Sequence, residues 1–211
     1  MTTAAGRFIS LEGGEGVGKS TQAAALAGRL GRRGIDCEVT REPGGSPGAE
    51  AIRGLLMAGA VDRWSPHAEA LLFAAARSDH VDRRIRPAIA AGRWVICDRY
   101  LDSTRAYQGA AGGIDDGALL ALHGFGSRGL LPDRTLVLVL PDDEAAERAR
   151  LRDAGIANDR FGARDPVFHH AVNAAFRTLA AAEPDRMRLV SASGSPDDVS
   201  DRLFDALGDW L

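Results

Sequence analysis

The stretch Gly13-Gly14-Glu15-Gly16-Val17-Gly18-Lys19-Ser20 decides the fold class of this chain. It matches the pattern G-x-x-x-x-G-K-[ST] and follows the apolar run Phe8-Ile9-Ser10-Leu11, which predicts a buried strand. Helix-forming sequence begins near Lys19, so the order is strand, glycine loop, helix. In this order the backbone N–H groups of the loop and the positive end of the helix dipole attract an anion. The stretch predicts a site for a nucleoside triphosphate, against the alternative of a chance glycine turn.

Several positions of this loop have separate expected roles. Gly13, Gly16 and Gly18 allow backbone conformations that are closed to other residues. Lys19 is expected to reach the β- and γ-phosphates of the nucleoside triphosphate, and the Ser20 hydroxyl to bind Mg²⁺. The residues predicted to contact the nucleoside triphosphate are Gly13, Gly14, Glu15, Gly16, Val17, Gly18, Lys19, Ser20 and Thr21.

The bulk composition limits the partners and the location. With 211 residues, 45% of them hydrophobic, the chain is long enough for one α/β domain. A net charge of −3 provides no general basic field for nucleic acid. The sequence contains no membrane-spanning run or signal peptide, and Cys37 and Cys97 fit no metal motif or disulfide framework. We expect a soluble cytoplasmic protein with buried free thiols and with no nucleic-acid or membrane partner.

Short β-rich runs alternate with longer amphipathic runs, which predicts an α/β fold with a five-stranded parallel sheet and helices on both faces. The predicted strands are 7–11, 36–40, 93–97, 134–140 and 187–191. The predicted helices are 19–33, 48–58, 66–91, 115–126, 142–153, 166–183 and 196–210. Ser65-Pro66 and Ser195-Pro196 are typical of helix starts, and Gly34 of a helix end. No linker or repeat interrupts the pattern, so residues 1–211 are predicted to form one domain.

A second group of polar residues follows the second and third predicted strands, where ligands bind in open parallel sheets. Asp98 can hold Mg²⁺ or orient the attacking group, unless it only caps a helix. Arg99 is adjacent, and Arg53, Arg77 and Arg105 are candidates to join it around a second anion, because a guanidinium matches two phosphate oxygens. These residues predict a second anion site beside the first.

Three further features remain ambiguous from the residues alone. Phe73 and Arg77 share one helix face, which suits a stacked base, although the spacing alone favours a core ring beside an unrelated surface arginine. The polar run 102–109 reads as a binding loop or as a plain loop. The third feature is a set of arginines that either close over a transferring phosphoryl group or form a solvated helix face with Glu144 and Glu147: Arg148, Arg150 and Arg152.

Together these segments resemble the thymidylate kinase family over about the first 110 residues, and more loosely beyond. The matching pieces are Phe8 to Thr21, Thr40-Arg41-Glu42-Pro43-Gly44-Gly45, Leu72-Phe73-Ala74-Ala75-Ala76-Arg77, Asp98-Arg99-Tyr100 and Ala106-Tyr107-Gln108-Gly109. The resemblance implies a P-loop kinase fold with a short lid at about 142–164. It also implies transfer of the γ-phosphoryl of ATP to dTMP, giving dTDP for dTTP synthesis, with Mg²⁺ and in a homodimer.

The resemblance also implies roles for single residues. Phe73 matches the ring that stacks on thymine, and Arg77 matches the residue that contacts a base carbonyl. The other acceptor positions are Thr104 and Gln108 at the base edge, Arg53 and Arg99 at the monophosphate, Tyr107 under the sugar, Glu15 near sugar and phosphate, and Glu42 and Pro43 of the Arg-Glu-Pro-Gly-Gly run. Lys19, Asp98 and Arg99 are expected to take part in catalysis. The phosphate loop lacks arginine at its variable positions, which resembles the bacterial subtype of the family, in which the lid supplies the catalytic arginines. This resemblance implies that the remaining catalytic charge comes from Arg148, Arg150, Arg152 or Arg160.

Two positions depart from the family pattern. Relatives often carry an acidic residue after Asp159-Arg160-Phe161, whereas this chain has Gly162, so its role is absent or moved to Asp165. Arg105 replaces a small or apolar residue and is expected to add charge near the acceptor. From the residues alone, a kinase for dUMP, CMP or AMP is the nearest rival. A guanine-specific switch would carry an Asn-Lys-x-Asp run, which this sequence lacks.

Overall fold

The structure is a computed structural model that describes residues 6–141, 144 and 160–211. Its five strands are β1 (Phe8–Glu12), β2 (Cys37–Arg41), β3 (Trp94–Asp98), β4 (Arg134–Val139) and β5 (Met187–Ser191). All pairings between them are parallel, and the strand order is β2-β3-β1-β4-β5. The predicted parallel sheet is confirmed, with each strand within one residue of its expected bounds.

The helices follow the predicted order with one exception. Their bounds are α1 (Lys19–Arg32), α2 (Pro47–Met57), α3 (Pro66–His80), α4 (Arg86–Ala90), α5 (Leu101–Thr104), α6 (Asp116–Ser127), α7 (Pro166–Ala182) and α8 (Pro196–Asp205). A π-helical segment, Val81–Ile85, joins α3 to α4, and another, Arg105–Ala110, continues α5. The prediction of a loop at 102–109 is therefore wrong. The last predicted helix ends at Asp205, before a short 3₁₀ turn, and the predicted helix 142–153 lies outside the described residues apart from Glu144.

Capping side chains set several helix starts. The Ser65 and Ser195 hydroxyls accept the N–H groups of Ala68 and Asp198, as predicted. The same device, not predicted, appears at Ser46 and Asp165 ahead of α2 and α7. At the other end of α1, Gly34 takes a positive φ of 78°, a conformation that suits glycine.

The core lies on both faces of the sheet, because successive strand residues point to opposite sides. Ile9 and Leu11 pack with Leu26 of α1 and Leu203 of α8. On the other face, Phe8 packs with residues of the 81–85 and 94–101 segments, while Val137 of β4 packs on α7. Helices thus cover both faces, as predicted. Within the described ranges, no helix combines the length and apolar character needed to cross a lipid bilayer.

Candidate active site

The carboxyl ends of β1, β2 and β3 open into one cavity of about 470 Å³. From the phosphate loop it is lined by Glu15, Gly16, Gly18, Lys19, Ser20 and Thr21. From the second predicted group it is lined by Glu42, Pro43, Arg53, Phe73, Arg77, Asp98, Arg99, Thr104, Tyr107 and Gln108. The cavity is completed by residues to which the sequence analysis assigned no role: Arg41, Met57, Tyr100, Ser103 and Phe161. The predicted donor and acceptor residues therefore share one cavity.

The remaining loop residues support this cavity from behind. Gly13 has a φ of 130°, and a Cβ there would lie 2.3 Å from the Leu138 carbonyl oxygen. The side chain of Val17 is buried in the core beneath the loop. The Lys19 ammonium donates to the carbonyl oxygens of Gly13 at 3.2 Å and Gly14 at 2.6 Å. These backbone contacts hold the ammonium at the loop.

Burial and the nearby Arg99 guanidinium lower the pKa of Lys19 to about 8, although Glu15 and Asp98 oppose the shift. The charged form of this lysine is therefore less stable than in water, even among neighbouring carboxylates. An added negative charge would restore it.

Two oxygen-bearing side chains meet beside Lys19. The Ser20 hydroxyl, in the first turn of α1, donates to Oδ2 of Asp98, the last residue of β3. No side chain caps α5, which follows, so the helix-cap alternative for Asp98 is not seen. Both side chains line the cavity.

Arg99 is fixed on three sides. Its Nη2 donates to Glu15 Oε1 at 2.6 Å, and its Nη1 to the Gly13 carbonyl at 3.0 Å and to Ser103 Oγ at 3.1 Å. The Tyr107 hydroxyl donates to the same Glu15 oxygen at 2.8 Å, with the Arg99 guanidinium 5.0 Å from its ring centroid. Burial lowers the pKa of Arg99, but Tyr107 and Glu15 outweigh burial and raise it above its ordinary value.

Glu12 supports this arrangement from inside the protein and was not predicted as a site residue. Its fully buried carboxyl accepts the Tyr100 N–H at 2.7 Å and the Ser103 hydroxyl at 2.6 Å. Burial, and then the charge of Asp102, raises the pKa of Glu12 to about 8. A glutamate directly after an apolar strand was the available sequence signal.

Arg77, in the wall of the same cavity, is held by three acceptors. Its Nε donates to Glu42 Oε2 at 2.7 Å, and its Nη2 to Thr104 Oγ1 at 2.9 Å and to the Tyr100 carbonyl at 3.2 Å. Burial alone would raise the pKa of Glu42, but Arg77 and His80 bring it below its ordinary value. Phe73 lies on the same cavity wall, its ring centroid 5.6 Å from that of Phe161.

Three arginines differ in how close they come to the cavity. Arg53 lines it and donates to the Pro43 carbonyl at 2.8 Å. Arg105 does not line it, and is bonded instead to Asp116 at 2.8 Å and paired with Glu183, so the expectation that it adds charge near the acceptor is wrong. The lid candidates Arg148, Arg150 and Arg152 lie outside the described residues.

Arg160 is buried against the end of α2 and the segment that follows it. It donates to the carbonyls of Leu56, Ala60 and Val61 at 3.0, 3.1 and 3.0 Å and pairs with the Glu69 carboxylate. Glu69 in turn accepts from Gln108 Nε2 at 2.9 Å. Arg160 does not line the cavity, so these contacts favour a structural role, and its catalytic role stays a prediction. Asp165 likewise caps α7 and is not part of the cavity wall.

Comparison with known proteins identifies the family of this chain. Residues 11–203 match the family model described as thymidylate kinase. The chain belongs to the thymidylate kinase family. It is 63% identical over 207 residues to a thymidylate kinase of Rhizorhabdus wittichii, with 98% of this chain and 99% of that protein covered. The thymidylate kinase of Bradyrhizobium diazoefficiens is 48% identical over 206 residues, covering 98% of this chain and 90% of the other.

A solved structure has the same fold. The crystal structure of thymidylate kinase from Ehrlichia chaffeensis superposes with a TM-score of 0.77 at 28% identity, covering 96% of this chain and 99% of that one. The chain is thus an enzyme that uses ATP to phosphorylate dTMP to dTDP.

Proposed function

We propose that ATP binds at the phosphate-loop end of the cavity and dTMP at the end formed by Phe73 and Arg77. The observation that carries this assignment is that Lys19, Arg99 and Phe73 line one continuous cavity. Its volume of about 470 Å³ falls within the usual range for small-molecule sites. A donor and an acceptor bound in the same cavity can approach each other for direct transfer.

In this proposal the acceptor is held at its base, its sugar and its phosphate. Phe73 stacks on thymine, while Arg77 donates to a base carbonyl. Among the described residues, Nη1 of Arg77 has no hydrogen-bond partner, although its other two donor atoms are engaged. Arg53 and Arg99 bind the 5′-phosphate as cations with several donors each. The other acceptor contacts are those of Glu15, Glu42, Pro43, Thr104, Tyr107 and Gln108.

The proposed mechanism is in-line transfer of the γ-phosphoryl group to the 5′-phosphate of dTMP. Little covalent chemistry is required of the protein, so positioning and charge neutralisation account for the rate. Lys19 binds the β- and γ-phosphates, and Arg99 holds the attacking phosphate at the adjacent strand end. Further charge comes from the lid arginines Arg148, Arg150 and Arg152, as the family resemblance implies.

Ser20 and Asp98 are the residues that fit Mg²⁺. A hydroxyl and a carboxylate, already in contact beside the phosphate loop, are the hard oxygen donors that this ion prefers, with nucleotide phosphates and water filling its other positions. When bound, the ion would offset the negative charge of the phosphates.

Three broader predictions remain part of the proposal. The chain is one kinase domain with a lid at about 142–164, it works as a homodimer, and it acts in the cytoplasm. The free thiols of Cys37 and Cys97 are consistent with a reducing compartment. Size-exclusion chromatography with light scattering tests the dimer, and a monomer at assay concentration would contradict the predicted homodimer.

The base assignment is tested by Arg77→Ala against a matched buried arginine. Arg77→Ala should raise KM for dTMP at least tenfold, about the loss of one charge-assisted hydrogen bond, and leave KM for ATP within about twofold. Arg134→Ala is the control, because Arg134 is also buried and ion-paired but is the first residue of β4, whereas the cavity lies at the carboxyl ends of the strands.

Both variants are assayed by ADP release with dTMP, dUMP, CMP and AMP as acceptors. Equal losses for the two nucleotides in Arg77→Ala would contradict the assignment of the cavity ends. Comparable turnover of CMP or AMP by the unmodified enzyme would contradict the thymine-specific base pocket.

A further inference from the structure

Four buried side chains, of which Glu42 and Arg77 line the cavity, form a continuous hydrogen-bonded chain. The Thr40 hydroxyl lies 2.7 Å from His80 Nε2, and His80 Nδ1 lies 3.1 Å from Glu42 Oε1. The other Glu42 oxygen accepts from Arg77 Nε at 2.7 Å. All four residues are at most 8% exposed, and His80 is completely buried. This Thr40–His80–Glu42–Arg77 chain ends at a residue that lines the cavity.

The fold assembles the chain from two segments. Thr40 belongs to β2 and Glu42 follows that strand, whereas Arg77 and His80 lie one turn apart near the end of α3. Gly45 closes the contact between the segments. A Cβ at Gly45 would lie 2.4 Å from His80 Nε2 and 2.5 Å from Thr40 Oγ1, so only glycine lets the backbone pass so close.

The chemistry of the groups fixes the direction of the hydrogen bonds. Glu42 has a pKa below its ordinary value, against the effect of burial, because Arg77 and His80 stabilise its ionised form. An ionised carboxylate only accepts, so the Nδ1–H group of His80 donates the hydrogen bond to Glu42. His80 therefore holds the one Glu42 oxygen that Arg77 does not.

The order hydroxyl, imidazole, carboxylate matches that of hydrolytic triads, but a nucleophilic role does not fit. Thr40 and His80 are not among the residues that line the cavity, and Gly45 packs against both. A nucleophile must reach its substrate. The arrangement is suited instead to holding a charged pair in one geometry.

We propose that His80 is a positioning residue for acceptor selection, which orients Glu42 and through it aims Arg77 at the base of dTMP. The inference rests on the proposed role of Arg77. A guanidinium bound to a carboxylate of fixed orientation presents its free donor in one direction. Loss of His80 would free Glu42 to rotate. Arg77 would then lose the fixed direction of its Nε bond while keeping its bonds to Thr104 and the Tyr100 carbonyl.

The test compares three variants by kcat, by KM for each nucleotide and by melting temperature. His80→Leu removes both hydrogen bonds and should raise KM for dTMP about fivefold to tenfold, with KM for ATP within about twofold. His80→Asn keeps a donor near the Nδ1 position and should recover most of the affinity. The control is His123→Leu, since His123 is also buried and its Nε2 lies 2.9 Å from the Leu130 carbonyl, with no bond to Glu42 or Arg77 among the described residues.

The control variant should lower the melting temperature without separating the two KM values. If His80→Leu behaves like His123→Leu, or if both KM values rise equally, the inference is wrong. Parallel assays of Arg77→Ala separate the two levels. A normal KM for dTMP in Arg77→Ala would remove the proposed base assignment, whereas a raised value there with a normal value in His80→Leu would remove only the role of His80.

If His80→Leu does not fold, the unmodified enzyme still provides a test. The His80 Nδ1 proton should give an NMR resonance that moves on addition of dTMP and not on addition of ATP alone. A resonance that ignores dTMP, or that responds equally to both nucleotides, would overturn the inference.

Discussion

Binding of ATP should draw protons into the active site at alkaline pH, and Lys19 is the reason. Burial and Arg99 hold the pKa of its ammonium at about 8, so part of the population is neutral near that pH. The phosphates of ATP favour the charged form and would return the pKa toward its ordinary value. Each neutral lysine must then take one proton from the buffer as ATP binds.

The size of the effect follows from the pKa. With a value of about 8, about half of the Lys19 side chains are neutral at pH 8, about a tenth at pH 7 and about nine tenths at pH 9. Proton uptake per site should follow these fractions. Affinity for ATP should be nearly constant below pH 7 and fall by up to about tenfold per pH unit above pH 8.

Isothermal titration calorimetry in buffers of different ionisation enthalpy measures this uptake as the slope of the observed enthalpy against the buffer enthalpy. Lys19→Arg is the control, because a guanidinium stays protonated throughout this range. Uptake that does not change between pH 7 and 9, or that persists in Lys19→Arg, would refute the reasoning.

Three other predictions concern residues around the cavity. The pKa of Glu12 is about 8 in the folded protein, against an ordinary value of 4.5. Between these two pH values the folded protein keeps a proton that the unfolded chain releases. The free energy of unfolding therefore falls as pH rises from 4.5 to 8, by up to about 1.4 kcal/mol per pH unit. Glu12→Gln lacks this titration, so in urea unfolding its stability relative to the unmodified protein should rise between pH 5 and 8. If the two stability profiles run parallel over this range, the raised pKa of Glu12 is contradicted. Arg160→Met should lower the free energy of unfolding by about 3–5 kcal/mol, because it leaves the Glu69 carboxylate buried without its main partner. The variant should keep its kcat at low temperature. Normal stability together with a lost kcat would show that Arg160 is catalytic. Asp98→Asn should raise the Mg²⁺ concentration needed for half-maximal rate about tenfold or more, and an unchanged requirement would place the ion elsewhere.

The sheet and most helices were predictable because their signals are local. Apolar runs of strand length and capping serines before proline act within a few residues, and Ser65 and Ser195 both behave as expected. The helical segment at 101–110 carries no such signal. Its polar residues Asp102, Thr104 and Gln108 are buried, because their partners Arg186, Arg77 and Glu69 come from distant parts of the chain.

The site was predictable where function requires a residue type in a fixed pattern, and less so where packing alone decides. The loop residues and Arg99 line the cavity as expected, but from its spacing alone Phe73 read as a core residue. Glu12, Glu69 and His80 were missed because each acts through a neighbour, and their pairings span 38 to 91 positions. Arg105 was wrongly expected near the acceptor, because its ion pairs with Asp116 and Glu183 could not be predicted from the sequence.

The left-handed backbone of Arg99, with a φ of 68°, has a consequence for how the two nucleotides are spaced. In a continued strand, Asp98 and Arg99 would point to opposite faces of the sheet, yet the turn brings both into the cavity. The group proposed for the metal and the group proposed for the acceptor phosphate are thus joined by one trans peptide unit, about 3.8 Å between Cα atoms. Motion of the surrounding helices cannot stretch that unit, so the backbone separation between these two groups is set by the covalent chain.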